Sequence, residues 1–344
     1  MNVVSSVIYN VGILFLMMIP GFILKKCKMA PEGFGKGLSN LVLYIAQPAL
    51  IFLAYLRPYD GEILKNSLYV LILSIVAHVI FAAVAMLLFR GAEDGQRRML
   101  RFATILSNAA FMGIPLIAAV LEDAFPGATL YASIYNITFN LFLWTLGVYI
   151  CTKGKDVNSD GVDDHKEVTR LTSSAEDDRT VKDGSGSILK AILHPVTLAA
   201  VLGLLFFILP IDGFTRENAR IVVEAFTMLK NLVAPLSMTV IGLRLAEMRF
   251  DGMLRDKYMY LFLGLRHIAL PLLTVGIIKL LALVGLELNY AVSAVVVILA
   301  ACPAATSATM FAEKFNCDAI YVSRLVTVST SLSIGTMPLI LLLL

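Results

Sequence analysis

Charged residues are scarce in this sequence: Asp, Glu, Lys and Arg make up only 15% of its 344 residues, whereas 58% are hydrophobic. So few charges cannot cover the surface of a water-soluble domain of this length. The four cysteines lack the short paired spacing of a zinc motif or a disulfide framework. There is also no HExxH motif and no nucleophile with an evident base, so we expect a protein that is not an enzyme and needs no cofactor.

Long apolar runs follow one another along the chain and predict an all-α polytopic membrane protein. The first run is followed by Lys25 and Lys26 and has no basic stretch before it. That order is wrong for a cleaved signal peptide, so we interpret the run as a membrane helix. We predict ten transmembrane helices, at residues 3–24, 37–56, 64–89, 99–121, 128–151, 188–209, 220–245, 256–284, 288–312 and 320–343.

A polar, acidic segment at 152–187 separates a first five-helix repeat, 1–151, from a second one, 188–344, and we interpret it as a linker. Lysine and arginine concentrate in this linker and in alternate loops on the same side. The positive-inside rule then predicts a multi-pass protein of the inner (cytoplasmic) membrane with a cytosolic linker and both termini outside. The net charge is only +3 and most basic residues sit in the loops and the linker between helices, so we expect no nucleic-acid partner.

Prolines recur in register between the two halves. The same number of residues separates Pro48 from Pro235 and Arg57 from Arg244, and Pro115 and Pro303 keep this offset within one residue. Because each half has an odd number of helices, the second half must be an inverted copy of the first. Paired prolines in helices 4 and 9 then predict two broken helices with a binding site between them. The alternative is that prolines are simply common in membrane helices.

Polar residues beside these prolines form the candidate substrate site. A helix broken inside the membrane exposes free N–H groups with a partial positive charge, which favours an anion, and amides and hydroxyls can complete its shell. The candidate substrate-binding residues are Asn108, Gly113, Pro115, Pro303, Thr306 and Ser307 in helices 4 and 9, with Gln47, Asn136 and Asn140 nearby. The alternative is a proline kink whose hydroxyls bond back to their own helix.

Among the ionisable residues inside predicted helices are His78, Arg266 and His267. They are candidates for proton or anion handling, because histidine can carry a proton near neutral pH and arginine can hold a carboxylate with two parallel bonds. The alternatives are histidines bonded to backbone carbonyls and an arginine that reaches outward. No Asp or Glu lies in the central part of any predicted helix, which favours an anionic or neutral substrate.

The linker has the residue spacing of a calcium-binding EF-hand loop, with Asp156, Asn158, Asp160 and Glu167 as candidate ligands. Asp163 stands where such loops usually have an apolar residue. We therefore favour a solvated acidic linker without a metal, and we keep a calcium-responsive membrane sensor as an alternative function.

Three segments resemble the auxin efflux carrier family in its bacterial branch: NAAFMGIPL from Asn108, ACPAATSATMFAEKF from Ala301 and STSLSIGTMPLILL from Ser329. The resemblance implies ten helices in an inverted repeat, with broken helices 4 and 9 crossing near Pro115 and Pro303. It further implies a scaffold of helices 1, 2, 6 and 7 that forms a homodimer, and a transport domain of helices 3–5 and 8–10. The implied function is secondary transport of a small organic anion, such as malate or malonate, across the lipid bilayer by alternating access. A sodium-coupled organic-acid symporter of similar fold is the alternative.

Overall fold

The computed structural model describes residues 9, 12–152, 193–209, 220–246 and 256–342. Within these ranges the chain is helical, and its only β-type pairing is one isolated bridge. The helices are α1 Met18–Lys26, α2 Phe34–Tyr55, α3 Gly61–Leu88, α4 Asp94–Ile105, α5 Ala109–Val120, α6 Ala128–Thr152, α7 Pro195–Ile208, α8 Arg220–Ala246, α9 Lys257–Leu283, α10 Tyr290–Ala301, α11 Ser307–Lys314 and α12 Ala319–Leu341.

Five of these helices, α2, α3, α6, α8 and α9, are long and apolar enough to cross a membrane. Helices α5, α7 and α10 are apolar but shorter. The prediction of an all-helical polytopic membrane protein is therefore confirmed. The count of ten transmembrane helices and the inverted repeat stay predictions.

Two of the predicted spans are interrupted. Between α4 and α5, Leu106 takes up an extended conformation, with φ −102° and ψ 114°. Between α10 and α11, Cys302 does the same, with φ −55° and ψ 146°. Cys302 precedes Pro303, and the proline ring disfavours a helical conformation in the residue before it. Span four thus consists of α4 and α5, and span nine of α10 and α11.

The two interruptions cross each other as a short antiparallel pair, with Ser107 opposite Ala304. The N–H of Asn108 donates to the carbonyl of Pro303 at 2.7 Å, and the N–H of Ala305 donates to the carbonyl of Leu106 at 3.0 Å. Backbone groups released by a broken helix need such partners, because unpaired ones are costly inside a membrane.

The structure corrects the expected position of the crossing in span four. Pro115 lies inside α5, about two helical turns after the crossing at Ser107, and a π-helical turn, Ala109–Gly113, immediately precedes its helical segment. Pro48 and Pro271 likewise follow π turns. A π turn shifts the hydrogen-bond ladder by one residue and so accommodates a residue that lacks an N–H. Pro115 and Pro303 are therefore not equivalent positions, and they do not support the repeat as a third landmark.

Helices α1 and α8 cross at two glycines that allow their backbones to touch. A Cβ atom added to Gly242 would lie 1.9 Å from the carbonyl oxygen of Met18, and one added to Gly21 would lie 2.1 Å from that of Thr239. Small residues at crossings of membrane helices permit this close approach and the dispersion contacts that come with it.

Gly242→Ala is expected to lower the free energy of unfolding by about 3 kcal/mol, because the added methyl group meets rigid backbone and forces α1 and α8 apart. Thermal unfolding of the purified protein in detergent measures the change. The matched control is Gly276→Ala, since a Cβ at Gly276 has no atom within 4 Å. A Gly242→Ala variant as stable as the control would contradict the close crossing.

Candidate functional site

A cavity of about 160 Å³ adjoins the crossing and is lined from α2, α5, α6, α8, α11 and the start of α7. Its volume is well above the roughly 30 Å³ that one water molecule occupies in the liquid. Six of the nine predicted substrate-binding residues line it: Gln47, Asn108, Asn136, Asn140, Thr306 and Ser307. Residues far apart in sequence therefore meet at one cavity, whose surface is mostly apolar and carries several polar side chains.

The other three predicted residues shape the crossing without lining the cavity. The backbone of Gly113 packs on span nine so closely that a Cβ there would lie 2.3 Å from the Leu299 side chain. Pro115 is buried in α5, and Pro303 accepts the backbone hydrogen bond of Asn108.

Asn108 belongs both to the crossing and to the lining of the cavity. It precedes α5 as its N-cap residue, and only 2% of it is exposed. Its Oδ1 atom accepts a long hydrogen bond of 3.5 Å from the Thr306 hydroxyl. Its Nδ2 atom has no hydrogen-bond partner among the described residues. Asn108 thus places a buried amide donor without a partner among the residues that line the cavity.

Other buried polar atoms of residues that line the cavity also lack a hydrogen-bond partner among the described residues. Gln47 uses its Nε2 atom to donate to the carbonyl of Ala110 at 2.7 Å, but its Oε1 atom is unpaired within the described ranges. The same holds for Asn136 Oδ1 and Ser307 Oγ. Buried polar atoms are nearly always hydrogen-bonded, and leaving them unpaired is costly. Their convergence indicates a site for a polar ligand.

Two helix N-termini and an arginine adjoin the cavity. Both α5 and α11 begin at it, and neither N-cap side chain bonds to its own first turn. The free N–H groups of a first turn carry a partial positive charge. As far as the structure describes the chain, the cavity lining includes the cation Arg244 and no Asp or Glu.

Arg266 lies beside the crossing but does not line the cavity. The residue is fully buried, and its guanidinium donates to the carbonyls of Thr104, Ala300 and Cys302 at 2.9–3.0 Å. These carbonyls belong to the C-terminal ends of α4 and α10, where the helices leave them without an intrahelical partner. The side chain therefore neither reaches outward nor points at a substrate in the cavity.

His267 lies on the same π turn as Arg266 and holds span nine through a chain of hydrogen bonds. The Thr336 hydroxyl donates to the Leu332 carbonyl at 3.2 Å, so it accepts from His267 Nδ1 at 3.0 Å, and Nδ1 carries the ring proton of a neutral imidazole. Nε2 then accepts from the Ser329 hydroxyl, which itself accepts from the Ala304 N–H, at 3.0 Å in each case. His267 thus stabilises the crossing without lining the cavity.

His78 is buried away from the cavity among aromatic rings. Its Nδ1 atom bonds to the Ser74 carbonyl at 2.7 Å, and its ring stacks on Phe142 and contacts Tyr135. This is the arrangement of a histidine bonded to its own helix. Proton handling by either histidine stays a prediction.

Sequence reasoning missed six polar residues of the cavity lining: Ser39, Asn40, Tyr44, Trp144, His194 and Arg244. Trp144 Nε1 and His194 Nδ1 are buried and lack a partner within the described part of the chain. Arg244 served only as a landmark of the repeat, although an arginine at the end of an apolar span is a signal for an anion pathway. Nothing local in the sequence singles out Trp144 or His194.

No group of three or more His, Cys, Asp or Glu residues that could hold a metal occurs in the ranges that the structure covers. The calcium candidates Asp156, Asn158, Asp160 and Glu167 lie outside the described residues.

Interrupted helices that cross inside a helical membrane protein, with a polar cavity at the crossing, are the architecture of a membrane transporter. The chain matches the family described as membrane transport protein over residues 6–341, and it belongs to that family, the auxin efflux carrier family. It is also similar to an uncharacterized transporter of Methanothermobacter thermautotrophicus, with 24% identity over 326 residues and 94% of each chain covered. The resemblance seen in the sequence is thereby confirmed.

Proposed function

We propose that this transporter moves a small organic anion, a carboxylate such as malate or malonate, across the cytoplasmic membrane by alternating access. The observation that carries the proposal is the buried, unpartnered Nδ2 atom of Asn108 at the positive ends of two helices. In this proposal one carboxylate accepts hydrogen bonds from Asn108 Nδ2, the Ser307 hydroxyl and the first-turn N–H groups of α5 and α11.

Alternating access is supported by a difference between two cavities. One is lined by polar and apolar residues, and the other is lined by apolar residues alone. The polar cavity extends toward Asn40 at the start of α2 and Arg244 at the end of α8, ends that adjoin the predicted cytosolic loops. A small void of about 10 Å³ elsewhere is lined by apolar residues: Leu14, Phe15, Met112, Leu116, Met238 and Met337. We interpret the conformation as open toward the cytosol and closed by this apolar contact.

The proposed moving parts are a scaffold of α1, α2, α7 and α8, which we expect to form a homodimer, and a transport domain of the remaining helices. Within the described residues, three hydrogen bonds cross this boundary: Gln47 to the Ala110 carbonyl, Tyr55 with Ser133, and Asn140 to Thr197, at 2.7–3.3 Å. In our proposal these bonds break when the transport domain moves.

The test is uptake of radiolabelled malate and malonate by proteoliposomes that contain the purified protein. We expect saturable uptake that unlabelled acid inhibits and that the uncharged diamide of malonic acid does not, because the amide lacks the charge that the helix ends attract. Liposomes without protein are the control. Equal inhibition by acid and diamide would contradict an anion site.

Replacing sodium by choline separates this proposal from the sodium-coupled symporter. We expect unchanged uptake, since the cavity lining includes no carboxylate within the described residues to complete a sodium site. Loss of uptake without sodium would favour the symporter. The sensor alternative predicts heat of calcium binding to the full chain in calorimetry, and we expect none.

A further inference from the structure

Four helix ends meet at the crossing. Helices α4 and α10 end there, and α5 and α11 begin there. Each C-terminal end carries roughly half a negative elementary charge and each N-terminal end roughly half a positive one. Without a further charge, the four ends would sum to about zero, and the crossing would have little preference for an anion.

Arg266 changes this balance, because its hydrogen bonds within the described residues all go to the negative ends. Its guanidinium donates to the carbonyls of Thr104 in α4 and of Ala300 and Cys302 at the end of α10, and the Phe81 ring centroid lies 6.0 Å from the guanidinium carbon. A buried guanidinium is costly in a membrane unless nearby dipoles stabilise it, and here the two helix ends do so.

We infer that Arg266 offsets the negative ends of α4 and α10 and thereby leaves the crossing with a net charge of about +1 facing the cavity. The inference rests on the proposed function and explains why the site would select an anion. Arg266 attracts a monovalent carboxylate group without contacting it. Arg266 is in this sense a positioning residue: it sets the specificity of the site without contacting the substrate.

A second observation points to a ligand at the same place. Asn108, only 2% exposed, has an unpartnered Nδ2 atom within the described residues, and this atom lies where α5 begins. The donor at the start of α5 and the cation at the ends of α4 and α10 therefore adjoin the same crossing.

The competing explanation is that Arg266 only braces the broken helices. If its charge is screened before it reaches the cavity, loss of Arg266 lowers stability but leaves the ion preference of the folded protein unchanged. The two explanations therefore differ in an electrostatic readout that involves no substrate.

Trp144 supplies that readout, because it is the only tryptophan of the chain and lines the cavity. We propose to measure quenching of its fluorescence by iodide, caesium and acrylamide in purified protein in an uncharged detergent, each relative to free N-acetyltryptophanamide. For the natural protein we expect iodide to quench better than caesium. For Arg266→Gln we expect the iodide constant to fall roughly fivefold, the order expected for one elementary charge acting through a partly hydrated interior, with acrylamide quenching unchanged.

Two variants make the result specific. Arg266→Lys keeps the charge and should keep the iodide preference, whereas the matched control Arg220→Gln, a surface change, should leave all three constants unchanged. An unchanged iodide constant in folded Arg266→Gln would overturn the inference, as would an iodide preference lost equally in Arg266→Lys and Arg266→Gln.

A variant that keeps Arg266 covers the case in which Arg266→Gln does not fold. Arg244→Gln removes the cation of the cavity lining, and we expect a reduced but persistent iodide preference because the crossing still contributes. Complete loss of the preference would overturn the inference. Since quenching needs no substrate, absence of malate uptake with an intact iodide preference would contradict the proposed carboxylate and not the charge balance.

Discussion

Asn108→Asp is expected to reduce carboxylate uptake by at least about a hundredfold. The substitution keeps the shape of the side chain but replaces its buried, unpartnered N–H donor by an oxygen that is negatively charged when ionised. A hydrogen bond to a charged group is worth about 1.5–3 kcal/mol, and repulsion between like charges adds to its loss. Initial uptake rates in proteoliposomes, normalised to the amount of folded protein, measure the effect.

Two companion variants distinguish the loss of the hydrogen-bond donor from a loss of folded protein. Asn108→Ala removes the donor without adding a charge and should lose roughly thirtyfold, whereas the matched change Asn231→Asp at an exposed asparagine should leave uptake intact. If Asn108→Asp transports at the rate of the natural protein, Asn108 does not bind the substrate.

Arg244→Glu is expected to lower uptake about a hundredfold at low substrate concentration, chiefly by raising the KM. The residue is the cation of the cavity lining, so the reversal turns an attraction for the anion into a repulsion. The dependence of uptake on malate concentration separates KM from the maximal rate.

Arg244→Lys retains the charge and should keep most of the apparent affinity, although it loses the paired donors of the guanidinium. The control is Arg220→Glu, whose side chain is 81% exposed and paired with Glu224 at the surface. An unchanged KM in Arg244→Glu would exclude Arg244 from substrate attraction.

Much of the architecture could be predicted from the sequence because the signals are local. An apolar run of about twenty residues crosses a membrane whatever surrounds it. Six substrate-binding candidates could be selected since polar side chains in apolar spans, such as Asn108 and Asn136, are expensive and tend to meet.

The same reasoning misplaced the crossing in span four, because a proline does not decide by itself whether a helix breaks. Pro115 follows a π turn that accommodates the missing N–H, and the helix continues. The break lies at Ser107, two residues before that turn, where the chain pairs with Ala304 of span nine. The break therefore depends on a partner segment that no local pattern reveals.

The sequence by itself determined that this protein is helical, lies in a membrane and has polar residues suited to an anion, because hydrophobicity and residue type act locally. Only the tertiary structure decided what Arg266 does. Its partner carbonyl at Thr104 is 162 residues away, and a buried charge takes its role from the dipoles that surround it.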